Sequence, residues 1–371
     1  MEKGQSYQPV MSQEIAQPQT QVKGQNQIMS QSQNNTAFPV QTKPLLEVKD
    51  LRVEYLSPKG PVRAVDGVSF SIAPGEVLGL AGESGSGKST IAHALLRVLR
   101  PPALITGGEV YFKGKDVLSL AEHELEEFRW QDISMVFQSA MNSLNPVMRI
   151  GDQIIDVLVK HKKISKREAR LRAGELLDIV NIDKNRLDAY PHELSGGMRQ
   201  RAVIAIALAL NPPMMIMDEP TTALDVVVQK EIMQQIEELK EKMGFSILFI
   251  THDMSLMVEF SNRIAIMYAG EIVEMAAARE IFENPLHPYT RGLISSFPPL
   301  VGPKRKMAGI PGAPPNMAEP PTGCRFHPRC TQCRPVDKVT RPQLQEVLPG
   351  HWLAYHEGMP GINRGQAGQA K

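Results

Sequence analysis

Apolar and polar positions alternate over Leu46-Glu47-Val48, over Leu51-Arg52-Val53-Glu54-Tyr55 and again over Val68-Ser69-Phe70-Ser71-Ile72. This period of two predicts short strands with one buried face. Pro74-Gly75 closes the third of them, and Glu76 to Ala81 then forms an apolar run that leads straight into a glycine-rich turn. After the turn, Ser89 to Leu99 brings Ile91, Ala94, Leu95 and Val98 to one helical face. Between about 140 and 200 the texture is helical, with Ala169, Ala173, Leu176, Leu177 and Val180 on one stripe of Lys166 to Val180. Met214 to Met217, Val227 to Met243 closed by Gly244, and Ser246 to Ile250 resume the order strand, helix, strand. The pattern predicts an α/β core carrying a helical insertion, with no internal repeat.

Both ends differ from this core. Residues 1–44 are rich in Gln, Asn, Ser and Thr and poor in large apolar side chains, so they are expected to form a disordered tail. Beyond Pro288 the density of Pro and Gly rises, as in Phe297-Pro298-Pro299 and Pro311-Gly312-Ala313-Pro314-Pro315. We therefore assign 45–290 to the core and 291–371 to a loop-rich C-terminal extension. The longest apolar run, Ala202 to Leu210, ends at Asn211-Pro212-Pro213, well short of the roughly 18 residues of a membrane span. The N-terminal stretch has no apolar segment of the secretory kind, so a cytoplasmic chain is expected. Its 371 residues suffice for two domains and a tail, and 41 Lys plus Arg against 40 Asp plus Glu leave a net charge of +1. No whole-surface field recruits nucleic acid or anionic lipid, and nucleic acid is not expected as a partner.

Gly82-Glu83-Ser84-Gly85-Ser86-Gly87-Lys88-Ser89-Thr90 matches G-x-x-x-x-G-K-[ST] between a predicted strand and a predicted helix. Glycines let successive N–H groups point into one concavity, the helix N-terminus adds partial positive charge, and Lys88 reaches the outer phosphates. Ser89 offers its hydroxyl to Mg²⁺. Downstream, the apolar run Met214 to Met217 ends in Asp218-Glu219-Pro220, which delivers two carboxylates to the ligand-binding edge of an open α/β sheet. Asp218 is placed to hold Mg²⁺ and Glu219 to polarise an attacking water.

Leu194-Ser195-Gly196-Gly197-Met198-Arg199-Gln200-Arg201 makes a second anion-binding turn ahead of an apolar helix that starts near Met198. The string resembles the signature of ATP-binding-cassette (ABC) proteins, and the resemblance covers about Leu45 to Pro299. It implies a P-loop ATPase core, with a parallel sheet, an antiparallel β subdomain and a helical insertion, that binds ATP and Mg²⁺ and hydrolyses the nucleotide. In that family the signature, here Leu194 to Met198, closes on the ATP held by a partner's phosphate loop, so a second ATPase subunit is implied. Tyr55 matches the aromatic that stacks on adenine, Gln138 the glutamine that senses Mg²⁺ and water, Asp225 in Ala223-Leu224-Asp225 the interface loop, and His252 the switch histidine.

Met198, the run Ser143-Leu144-Asn145-Pro146 and the segment Asn284-Pro285-Leu286-His287-Pro288-Tyr289-Thr290 are similar to the ATPase subunits of bacterial dipeptide and oligopeptide importers. The bland reading of the His-Pro-Tyr segment is a proline-stiffened linker. The resemblance implies a peripheral engine on the cytoplasmic face of the membrane, docked through about Gln138 to Met148 on two permeases. It also implies a non-identical second ATPase and, indirectly, an extracytoplasmic solute-binding protein. Other cargoes of such importers are nickel, glutathione or oligosaccharides. A soluble cassette acting on DNA or ribosomes is the rival, but it would bring a second cassette or a long coiled-coil insertion, and neither is seen.

Cys324-Arg325-Phe326-His327-Pro328-Arg329-Cys330 resembles the start of a motif that holds an iron–sulfur cluster in some relatives. Here Cys333 follows too early, Asp337 stands where the third cysteine would fall and Tyr355 where the fourth is expected. Four thiolates are wanted for a [4Fe–4S] site. Free thiols lead, with a cluster on Cys324, Cys330 and Cys333, or zinc with His327, His351 or His356, behind them.

Overall fold

The computed structural model describes residues 43–138, 142–222, 224–296 and 309–355. The expected tail, apart from Lys43 and Pro44, lies outside the described residues, as do Ala223, Phe297-Pro298-Pro299 and His356. The described residues belong to one compact unit, and none of their helices is long and apolar enough to cross a membrane.

The first two alternating stretches are one strand, β1 (Leu46–Tyr55). Val48 and Leu51 are both buried although three positions apart, which a regular strand forbids. A register shift between them, with Asp50 at φ 46°, inserts a bulge that returns Leu51 to the inner face. β2 (Val62–Ile72) pairs with β1 and extends farther back than the alternation suggests. β3 (Val77–Ala81) is buried at every position. It feeds α1 (Lys88–Leu95), which stops short of Leu99 because Arg97 takes φ 50° and turns the chain. β4 (Ala103–Phe112) and β5 (Lys115–Asp116) complete an antiparallel sheet of order β2-β1-β4-β5.

α2 (Glu122–Gln131) and β6 (Ile133–Val136) lead into the helical insertion, α3 (Ile150–Lys162) and α4 (Lys166–Ile179). Ser165 caps α4 reciprocally with Glu168, which fixes where that helix starts. α5 (Gly196–Ala207), β7 (Met214–Asp218), α6 (Val226–Met243), β8 (Ser246–Ile250) and α7 (Met254–Phe260) follow. Then come β9 (Arg263–Tyr268), β10 (Glu271–Ala277), α8 (Ala278–Glu283) and α9 (Pro288–Ser295).

The main sheet runs β11-β12-β10-β9-β3-β8-β7-β6, where β11 (Gln343–Leu348) and β12 (His351–Tyr355) come from the C-terminal extension. β6, β7, β8, β3 and β9 are parallel neighbours. Their two faces are both covered: along β7, Met214 and Ile216 pack into one apolar cluster and Met215 and Met217 into the other. That double burial explains why β7 and β8 read as unbroken apolar runs. Since the parallel strands share a direction, the segments leaving β3, β6, β7 and β8 emerge at one edge.

The extension is less loop-like than its Pro and Gly content suggests. β12 pairs antiparallel with β10, which continues the main sheet. Charges also tie it down: Arg325 bonds Asp66 and Glu271, and Arg341 reaches the same two carboxylates at 3.2 and 2.8 Å. Glu274, fully buried, accepts from Leu286 N at 2.7 Å and His287 N at 3.0 Å and lies 2.7 Å from His351 Nε2. Burial opposes its charge, yet the bonds from His351 and those two amides hold its carboxyl below the usual range.

Candidate functional site

The phosphate loop leaves β3 at the shared edge and ends on α1. Gly87 stands at the N-cap with φ 105°, and a Cβ there would lie 2.2 Å from Ala64 O. Gly82 is equally confined, with a Cβ meeting Met267 O at 2.1 Å. No side chain caps α1, so its first N–H groups stay available to an anion. Lys88 is buried, and its Nζ donates to Gly82 O at 2.8 Å, to Glu83 O at 2.9 Å and to Ser86 Oγ at 3.4 Å. Burial lowers its pKa, while Glu219, Asp218 and Glu83 oppose that shift. Ser84 and Gly85 are exposed on the loop's outer rim. The Tyr55 hydroxyl lies 3.4 Å from Thr90 Oγ1, which brings the expected adenine platform beside the first turn of α1.

Asp218 closes β7, in register with Ile250 of β8. It is 2% exposed, and its Oδ1 has no hydrogen-bond partner. Burial raises its carboxyl pKa, against the pull of the Ser89 hydroxyl, His93 and Lys88. A buried carboxylate oxygen left free next to Ser89 fits a hard divalent cation. Glu219 follows with φ 49° and bonds its N–H to Ile250 O at 2.8 Å. Its Oε2 accepts from Gln138 Nε2 at 2.9 Å and Thr222 Oγ1 at 3.0 Å, and its Oε1 lies 3.5 Å from His252 Nδ1. Gln138 and His252, which follow β6 and β8, are exposed. Two residues picked singly from the sequence, Gln138 and His252, therefore meet on the carboxylate of a third, Glu219.

Ser195 caps α5, its Oγ accepting from Met198 N at 3.3 Å, so Gly196 and Gly197 form the helix's first turn instead of preceding it. A Cβ on Gly197 would lie 2.8 Å from Val228 Cγ1, which is how closely α5 and α6 pack. Leu194 is buried beneath this turn and Ser195 is exposed. Asp225 caps α6 through Val227 N and Val228 N at 3.1 and 3.0 Å. Among the described residues, no hydrogen bond or ion pair joins the Ser195 turn to the phosphate loop.

Two groups on the phosphate loop were not foreseen. The Tyr289 hydroxyl accepts from Glu83 N at 2.9 Å, and Arg329 bonds both Glu83 carboxylate oxygens at 2.8 and 3.0 Å. His287 caps α9 by accepting from Tyr289 N at 3.1 Å, and burial drives its imidazole down to about 4. The His-Pro-Tyr segment is thus a buried helix start against the loop, not a linker. The motif itself was the only signal for Tyr289, and nothing in the sequence pairs Arg329 with Glu83.

Burial pushes the Cys324 thiol up to about 12 and raises that of Cys330, which disfavours the thiolate a metal needs. Cys333 Sγ lies 3.5 Å from Arg334 O, and Asp337 pairs with Arg334 at 3.1 Å. All three cysteines are free, and among the described residues no group of three or more His, Cys, Asp or Glu could hold a metal ion. Neither the iron–sulfur nor the zinc expectation gains a ligand set there.

Residues 65–222 match the ABC transporter family and residues 273–336 the oligopeptide/dipeptide transporter C-terminal region. The chain is 44% identical to the oligopeptide transport ATP-binding protein of Bacillus subtilis over 88% of its own length and 93% of the relative's. It is 46% identical to the Escherichia coli protein described in the same words, over 84% and 92%. It is also 46% identical to the dipeptide transport ATP-binding protein of Lactococcus lactis, over 83% and 89%. A solved ATP-binding cassette, dimeric and bound to ADP and Pi after hydrolysis, superposes with a TM-score of 0.57 at 31% identity, covering 63% of this chain and 99% of that one.

Proposed function

The chain belongs to the ABC transporter family, and from that membership we propose how it works as the ATP-hydrolysing subunit of an oligopeptide and dipeptide importer. The observation that carries the reading is the meeting of Gln138 and His252 on Glu219, at the sheet edge from which the Lys88 loop also emerges.

ATP would lie with its adenine on Tyr55 and its phosphates in the loop from Gly82 to Thr90. Lys88 then exchanges its loop carbonyls for β- and γ-phosphate oxygens. Ser89, Gln138 and Asp218 would hold Mg²⁺, which when bound supplies positive charge to those oxygens. Glu219 has two carboxylate oxygens and can accept a hydrogen bond from the attacking water beside those it already takes. The water oxygen bonds the γ-phosphorus while the bond to the bridging oxygen breaks, so ADP and phosphate leave. His252 and Thr222 hold the Glu219 carboxylate in place, which leaves the protein the work of positioning and charge stabilisation.

The Leu194–Met198 turn would serve the ATP of a second ATPase subunit. Its support is the exposure of Ser195 and its lack of bonds to the chain's own loop, together with Val226 and Val227, 80% and 68% exposed beside Asp225. Phe137 and Val147, 42% and 80% exposed around Gln138, favour this stretch as the permease contact. We place the subunit on the cytoplasmic face of the membrane, held there by two permeases, with a solute-binding protein delivering the peptide. Affinity purification of the tagged chain from membranes should recover both permeases and one non-identical ATPase in equal amount. Recovery of the chain alone, or only with itself, would refute this assembly.

A further inference from the structure

Glu83 is held at every polar group it has. Its N–H donates to Tyr289 Oη at 2.9 Å, its carbonyl accepts from Lys88 Nζ at 2.9 Å, and its carboxylate takes the two-pronged bond from Arg329. Tyr289 and Arg329 stand 206 and 246 residues farther along the chain. Both are buried, and the Arg329 side chain is 6% exposed against 25% for Glu83. Arg329 is itself fixed, donating Nε to Pro311 O at 2.7 Å and lying 5.7 Å from the centre of the Tyr268 ring. Its hydrogen bonds to Glu83 keep the guanidinium charged despite burial. Pro314, Pro315 and Met317 line a small pocket together with Glu83 to Ser86. The back of the phosphate loop is therefore clasped by the C-terminal segment.

Glu83 sits in a loop expected to receive a polyanion, and its charge acts on Lys88. Left unpaired, that carboxylate would compete for the Lys88 ammonium and repel incoming phosphates. A bidentate guanidinium cancels the charge and fixes the side chain's direction at once. Tyr289 fixes the peptide through the Glu83 N–H, and its buried phenol is pushed toward the protonated form. We infer that Arg329 and Tyr289 are positioning residues of the nucleotide site, with Arg329 masking the Glu83 charge so that the phosphate loop presents net positive potential. Docking of the C-terminal segment thereby sets the loop's affinity for MgATP. This rests on the reading that the loop binds ATP.

The test is MgATP titration of the full-length chain. Arg329→Ala should weaken affinity about tenfold while the circular dichroism of the fold is kept. Arg329→Lys, which restores charge without the fork, should recover part of that loss. The decisive variant combines Arg329→Ala with Glu83→Gln, and its affinity should return to within about threefold of Glu83→Gln alone. If the double variant binds as weakly as Arg329→Ala, Arg329 acts by packing and charge masking is overturned. If Arg329→Ala binds as tightly as wild type, the whole inference falls. Should Arg329→Ala not fold, Arg329→Gln carries the same comparison. A wild-type chain that does not bind MgATP would instead refute the nucleotide-site reading.

Discussion

Lys88→Ala is expected to abolish measurable MgATP binding, weakening it by about 100-fold or more. Lys88 is buried, so its ammonium has already lost most of its water, and two backbone carbonyls hold it ready for phosphate. Hydrogen bonds to charged groups contribute about 1.5–3 kcal/mol each, and at about 1.4 kcal/mol per factor of ten the loss of two accounts for that effect. The substitution does more than remove an attraction. Glu219 and Asp218 both act on Lys88, and without it their field meets the triphosphate uncompensated. Titration calorimetry of the purified variant checks this, and binding within tenfold of wild type would contradict it.

Glu219→Gln should have the opposite profile, with MgATP binding kept and turnover reduced at least about tenfold. Glutamine matches the shape of glutamate, and its amide oxygen can still accept from Gln138 and Thr222, which bond Oε2 at 2.9 and 3.0 Å. What disappears is the carboxylate that we propose accepts from the attacking water. Removing one negative charge near Lys88 also favours the nucleotide, so trapped ATP should accumulate on the variant. Phosphate release and bound-nucleotide analysis on the same sample separate the two effects. Unchanged hydrolysis would remove Glu219 from the centre of the site.

Much of this site was legible because its chemistry is local. The phosphate loop needs its own glycines, a strand before it and a helix after it, and all three lie within Val77–Ala81 to Lys88–Leu95. Asp218 and Glu219 announce themselves as carboxylates at the end of a run buried on both faces. What stayed hidden depends on chain segments far apart. The bulge in β1 splits one strand into two apparent ones, since a single left-handed residue, Asp50, breaks the period of two. β11 and β12 sit amid Pro and Gly, where their short alternation is masked, and only pairing with β10 reveals them as part of the main sheet. The bond of Arg329 to Glu83 is a long-range ion pair between two residues that each look unremarkable in sequence. Arg329 lies in sequence between Cys324 and Cys330, both of them half-buried free thiols.

We propose that hydrolysis at the Glu219 edge drives peptide uptake. The most direct measurement is accumulation of labelled oligopeptide by proteoliposomes holding both permeases, both ATPases and the loaded solute-binding protein, with phosphate release followed in parallel. Uptake should require MgATP, hydrolysis should rise when peptide is supplied, and both should collapse when this chain carries Glu219→Gln. Assembled vesicles that hydrolyse ATP at the same rate with and without peptide, and accumulate none, would contradict the claim.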